Sequence, residues 1–97
     1  MLVGEVFHLF QRDITRYHGR GDELHLAFNF PPLMCPWERD AWLGQIQRAE
    51  AEHLARDAWP TWVLSNHDNP RHHTRYGNAE RARAAAVLLT TLRGTPF

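Results

Sequence analysis

Apolar residues in this chain fall into short unbroken runs and longer periodic ones, and the two kinds alternate. Leu2 to Phe10, rich in Val, Leu and Phe and interrupted by Gly4, Glu5 and His8, predicts a buried strand with one carboxylate inside it. A short helical stretch, QRDITRYHG, and the loop GRGDE lead to LHLAFNF, a second strand closed by Pro31 and Pro32. TWVL, behind Pro60, is a third strand, too continuously apolar to have a solvated face.

Between these runs the period changes. Trp42, Leu43, Ile46, Ala49 and Leu54 recur at helical spacing through WERDAWLGQIQRAEAEHLARD, with Pro36 suited to the first turn. A long loop is expected from Ser65 to Gly77. The last helix is the clearest: Asn78 as N-cap, Glu80 in the first turn, then RARAAAVLLTTLR with Gly94 past its end. Ala82, Ala85, Ala86, Leu89 and Leu92 give it a face that can approach a sheet closely, and TPF begins a fourth strand.

Apolar strands alternating with helices predict an α/β fold with a parallel sheet. Strand starts at Leu2, Leu24, Thr61 and Thr95 are spaced by 22, 37 and 34 residues. These steps bracket the ~31 residues per unit of an eight-unit barrel of ~250 residues. The expectation is therefore a partial (β/α)8 barrel of three to four parallel strands with covering helices, residues 1–97 forming one piece; periodicity alone also allows an open doubly wound sheet.

Composition narrows the function. The 97 residues are 43% apolar, and eleven Arg, with no Lys, balance eleven acidic residues. A neutral chain with dispersed cations argues against nucleic acid and anionic membranes as partners. No run approaches the ~20 apolar residues of a membrane span. The single Cys35 excludes a disulfide framework, and a cytoplasmic, reducing setting is expected.

The chemistry gathers where the third strand ends, in SNHDNPRHHTRYG. In a parallel α/β fold ligands sit beyond the carboxyl ends of strands, where Glu5, His67 and Asp68 would lie. Two carboxylates from different strands are the minimum equipment for acid–base work on a glycosidic bond. Against that stand ordinary structural uses: Asp68 capping the HDNP turn, and Glu5 paired with a buried Arg. His67, His72 and His73 match no metal-ligand spacing, so no metal and no cofactor are expected. The HD pair of helical phosphohydrolases is excluded by context, because this one ends a strand and precedes Pro70. Trp37, Trp42, Trp59, Trp62, Phe28 and Phe30 are better suited to core packing than to sugar stacking.

SNHDNPR resembles the fourth conserved region of the alpha-amylase superfamily, glycoside hydrolase family thirteen, in particular its alpha-glucosidase and oligo-1,6-glucosidase branch, where NHDQPR is usual. MLVGEV resembles the third region, and DELHLAFNF, AWPTWVLSNHDNPR and RAAAVLLTTLRGTPF are similar to the stretches that follow in order. The resemblance implies strand five to the start of strand eight of a catalytic barrel. It implies Glu5 as general acid/base, Asp68 as the carboxylate that stabilises the transition state, His67 as a hydrogen-bond partner of the sugar, and Arg71 near the site mouth. Asn69 replaces the more frequent glutamine. The family's nucleophilic aspartate belongs to a GFRxD-like motif on the preceding strand, and no aspartate of these 97 residues matches it. The implied function is part of a retaining alpha-glucosidase acting on short alpha-glucosides, this chain alone being inactive. The competing expectation is a non-catalytic fragment or interaction module derived from such an enzyme. Either way the sheet edges are expected to be exposed, favouring self-association or pairing with the rest of a barrel.

Overall fold

The computed structural model describes residues 1–97. Four strands form two parallel pairs: β1 (Val3–Gly4) with β2 (Leu26–Ala27), and β3 (Thr61–Trp62) with β4 (Thr95–Pro96). Between them lie α1 (Gln11–Ile14), which continues as a 3-10 turn over Thr15–His18, α2 (Arg39–Leu54), α3 (His72–Tyr76) and α4 (Ala79–Thr91). A second 3-10 turn, Pro31–Met34, follows β2, where the two prolines that close the strand pre-set its first turn. TPF does pair as a strand, with Thr61 opposite Thr95 and Trp62 opposite Pro96.

The strands are shorter than their apolar runs. Beyond Gly4 the chain turns locally, His8 N–H donating to the Val6 carbonyl at 3.1 Å, and Phe7, Leu9 and Phe10 are exposed. An apolar run holds a ladder only where a second strand lies beside it, and β1 has β2 on one side alone. The expectation that Glu5 sits inside a buried strand is thereby corrected: it follows β1 at the surface.

In α2 the register of the buried stripe differs from the expected one. Pro36 precedes the helix in its own turn, Glu38 N–H donating to the Pro36 carbonyl at 2.8 Å, and the helix begins at Arg39. Trp42, Ala49 and His53 are buried, whereas Leu43 and Leu54 face solvent. His53 thus takes the place expected for Leu54. The stretch from Ser65 to Gly77 is not a plain loop but contains α3, which ends at Gly77 in the left-handed conformation (φ 85°). In α4 the Asn78 side chain accepts from Arg81 N–H at 2.9 Å as its N-cap, and Ala82 and Ala85 are buried.

Two apolar clusters hold these elements. Cys35, Trp42, Leu64, Tyr76 and Ala85 join α2, the end of the third apolar run, α3 and α4, with Trp37, Leu88 and Leu89 packed against them. Phe30, Leu33 and Val63, with Phe28 alongside, fill the space beyond β2 and β3. Burial raises the pKa of the Cys35 thiol, which makes it a packing group rather than a nucleophile.

The seam between the strand pairs is closed by a side chain. Thr61 Oγ1 donates to the Ala27 carbonyl at 2.8 Å and accepts from Asn29 N–H at 3.0 Å, and all three residues are buried. Gln11 Nε2 extends the chain, donating to Asn29 Oδ1 at 2.6 Å. Thr61→Val keeps the shape and leaves a buried amide and carbonyl unpaired. It is expected to lower unfolding free energy by about 2 kcal/mol, read from denaturant titration.

A second buried polar pair joins the Thr15–His18 turn to α2. The rings of His18 and His53 lie 5.6 Å apart, edge to face. Each donates from Nδ1 to a carbonyl, His18 to Leu24 at 2.9 Å and His53 to Ala49 at 2.8 Å, which leaves both Nε2 atoms as buried acceptors without partners. Burial pushes the His53 pKa down to about 4, opposed by the hydrogen bond to the Ala49 carbonyl and assisted by the charge of Arg93. The unfolded chain then binds one more proton than the folded one between pH 6.5 and about 4. Stability is expected to be complete above pH 6.5 and to fall by roughly 2–3 kcal/mol as pH approaches 4. Urea midpoints across that range test this, and His53→Leu should flatten the slope.

Candidate active site

Glu5 follows the carboxyl end of β1, level with Phe28 beyond β2, whose amide donates to the Gly4 carbonyl at 3.0 Å. It is exposed and takes part in none of the six ion pairs, so the structural alternative of a buried Arg partner does not hold. His67 and Asp68 follow β3 on a loop and form a pair, His67 Nε2 to Asp68 Oδ1 at 3.3 Å. Both side chains are largely in solvent, which screens the attraction between them. Asp68 does not cap the turn. Across the turn the side chains of Asn69 and Asn66 are joined instead, Asn69 Nδ2 donating to Asn66 Oδ1 at 2.8 Å. Arg71 is the exposed residue immediately before α3. The structure brings His67 and Asp68 into contact and records no hydrogen bond or ion pair from either to Glu5 or Arg71.

The loop carrying His67 and Asp68 is held from below by residues the sequence reading did not single out for that purpose. Ser65 Oγ accepts from His72 N–H at 2.9 Å and lies 2.9 Å from His72 Nδ1. Arg75 donates from Nε to the Pro70 carbonyl at 3.1 Å and from Nη2 to the Leu64 carbonyl. His72 has its pKa lowered, first by burial and then by the charges of Arg75, His73 and Arg71. The signal in the sequence was Arg75 beside Tyr76, a cation next to a core aromatic.

Aromatic rings crowd the ends of the strands. Phe28 meets Phe97 at 4.8 Å between centroids and Phe30 at 6.1 Å, and Phe30 meets Phe7 at 5.2 Å. Of the tryptophans, Trp42 and Trp62 are buried, Trp37 is half-buried and Trp59 is exposed, its indole donating to Thr95 Oγ1 at 3.1 Å. Asn29 is the polar residue that the strand reading passed over. It stands among these rings with no exposure, and its Nδ2 finds no acceptor.

A cavity of about 410 Å³ is lined by Trp37, Trp42, Leu43 and Ile46 of the α2 region and Leu88 of α4, and by none of Glu5, His67, Asp68 or Arg71. No three His, Cys, Asp or Glu side chains stand together as metal ligands do. No helix is long and apolar enough to cross a membrane.

Parallel strands with helical crossovers, and ionisable residues just past the strand ends, are the parts from which barrel enzymes are built. Residues 1–97 match the family described as alpha amylase, catalytic domain, and the chain belongs to that family. Its catalytic domain is a (β/α)8 barrel, of which these four strands and their helices are a piece. The chain is 32% identical, over 88 aligned positions and 81% of its length, to a probable alpha-glucosidase of Rhizobium meliloti (strain 1021). It superposes over 99% of its length, with a TM-score of 0.76 and 26% identity, on the trehalose-6-phosphate hydrolase of Bacillus licheniformis. It spans 15% of the first protein and 20% of the second. Both relatives are named as glycoside hydrolases.

Proposed function

We propose that residues 1–97 are the segment from strand five to the start of strand eight of a retaining alpha-glucosidase that hydrolyses alpha-glucosidic bonds in short oligosaccharides. The observation that carries this reading is the placement of Glu5 directly after β1 and of His67 and Asp68 after β3, in a parallel arrangement whose whole length follows that of a glycoside hydrolase. Glu5 protonates the leaving oxygen and then deprotonates the attacking water. Asp68 stabilises the positive charge that develops at the anomeric carbon. His67 hydrogen-bonds the sugar, and Arg71 borders the mouth.

Retention needs a third carboxylate as nucleophile, ~5–5.5 Å from the acid/base. Asp13 and Asp40 lie on helices, Asp22 and Asp57 in turns, and Asp68 has its own role. The nucleophile therefore comes from outside these residues. Leu2, Val3 and Phe97, exposed at the sheet edges, would pair with the flanking strands or with a second copy of the chain.

The isolated chain is expected to show no turnover of 4-nitrophenyl alpha-glucoside, maltose or isomaltose above background. Robust hydrolysis by the purified 97 residues, lost on Glu5→Gln or Asp68→Asn, would sink the reading that the nucleophile lies elsewhere.

A further inference from the structure

We propose that Arg75 is a positioning residue, whose guanidinium ties together the two ends of the Ser65–Arg71 loop and so fixes His67 and Asp68; its bearing on catalysis rests on the role proposed above for Asp68. The loop is polar, and its apex residues His67 and Asp68 project into solvent. At the apex itself only the side-chain hydrogen bond from Asn69 Nδ2 to Asn66 Oδ1 holds the loop.

The base of the loop is different. One guanidinium reaches the carbonyl of Leu64, the residue before the loop, and that of Pro70, near its end. These are two donors of a single rigid plane, so they set the spacing between the two ends, which a single-point donor such as lysine does not. Arg75 has no carboxylate partner in any ion pair of the chain, and its hydrogen bonds go to these two carbonyls. Its guanidinium carbon also lies 5.0 Å from the centre of the Tyr76 ring. Tyr76 is buried in the cluster with Leu64, Trp42 and Ala85. The clamp is thereby anchored in the core at the ring and at the Leu64 carbonyl. Ser65 and His72 close a second link, which starts one residue after Leu64 and ends two residues beyond Pro70, and Asn66 and Asn69 lace the apex.

The test is backbone relaxation and amide exchange on isotopically labelled residues 1–97, with Arg75→Met, Arg75→Lys and Ser65→Ala. In the parent chain the amides of 66–71 are expected to be rigid, with order parameters of about 0.85, falling below about 0.6 in Arg75→Met while α2 and α4 keep their protection. Arg75→Lys retains the charge and one carbonyl contact and is expected to lie between the two. Ser65→Ala, which cuts only the Ser65–His72 link, should loosen the loop less than Arg75→Met. If Arg75→Met fails to fold, Arg75→Lys decides. Unchanged order and exchange at 66–71, in whichever of the two variants folds, would overturn the clamp.

A second readout separates positioning from mere stability. The same chains are combined with the remainder of a catalytic barrel from the Rhizobium relative. Arg75→Met should there lower kcat by about tenfold or more with KM within about threefold, and Arg75→Lys should recover part of the loss. Loss confined to KM would overturn the positioning role. Full turnover in Asp68→Asn, alongside a loosened loop in Arg75→Met, would refute the role of Asp68 and leave the clamp standing.

Discussion

Glu5→Gln, in a barrel completed around residues 1–97, is expected to lower turnover of maltose by about 10²–10⁴-fold, the range that general acid–base catalysis contributes. The loss depends on the leaving group. Departure of a sugar alkoxide needs a proton in the transition state, whereas 4-nitrophenolate is stable enough to depart with little help. Glycosylation by 4-nitrophenyl alpha-glucoside should therefore fall much less, and the next step, attack of water on the glycosyl-enzyme, becomes limiting because the general base is missing. The exposed position of Glu5 after β1 suits this double duty, since the group that gives a proton to the leaving sugar must then meet incoming water. Pre-steady-state kinetics should show a burst of 4-nitrophenol. Equal losses in the glycosylation step on both substrates, with no burst, would show that Glu5 supports the fold or binding rather than proton transfer.

Gly94→Ala is expected to be the most damaging single methyl addition in the chain, costing about 4 kcal/mol. Gly94 has φ 145°, a conformation L side chains rarely adopt, and a Cβ there would lie 2.5 Å from Trp62 Nε1 and 2.8 Å from the Pro60 carbonyl. Neither neighbour can give way. Trp62 is buried, with its indole donating to the Arg93 carbonyl at 2.8 Å, and the Pro60 carbonyl accepts from Thr95 N–H at 2.9 Å in the β3–β4 pairing. Overpacking and backbone strain each cost about 1–3 kcal/mol, and here they fall on the same atoms. Gly77→Ala is the control. Its φ is also positive, at 85°, but nothing lies within 4 Å of the added methyl, so only the strain remains and the cost should be about 1 kcal/mol. Chemical denaturation of both variants, with exchange of the Thr95 amide as a local probe, distinguishes them. A Gly94→Ala chain as stable as the Gly77→Ala one would contradict the packing at the β3–β4 seam.

The elements most legible in the sequence were those whose stability is local. α4 carries its own cap in Asn78, its acidic first turn in Glu80 and its small buried face in Ala82 and Ala85, so its pattern needs no partner to be read. The parallel direction of the strands was legible because they alternate with helices, TWVL being continuously apolar and LHLAFNF apolar on the face of Leu24, Leu26, Phe28 and Phe30. Strand length was not. It depends on the neighbour across the ladder, and Leu2–Phe10 keeps only Val3 and Gly4 in register with β2. His53 was missed because a histidine at a core position reads as polar until its Nδ1–H is seen to satisfy the Ala49 carbonyl of its own helix. α3 was missed because four of its five residues, His72, His73, Thr74 and Tyr76, are poor helix formers, and the helix is held by Tyr76 in the core and Arg75 on the loop. At the site, the residue types and their order were readable as motifs. The contacts that support them, from Ser65, His72 and Arg75, arise from tertiary structure and leave no period in the chain.

The central claim, that residues 1–97 carry the acid/base and the stabilising carboxylate but not the nucleophile, is tested most directly by complementation. The 97-residue chain is mixed with a second chain comprising the remaining barrel of the Rhizobium alpha-glucosidase relative, and hydrolysis of maltose is measured alongside sedimentation of the mixture. The account predicts that neither chain is active alone, that the 1:1 complex is active, and that Glu5→Gln or Asp68→Asn in the short chain abolishes turnover without dissociating the complex. Turnover unaffected by both substitutions, or an assembled and folded complex with no activity, would contradict it.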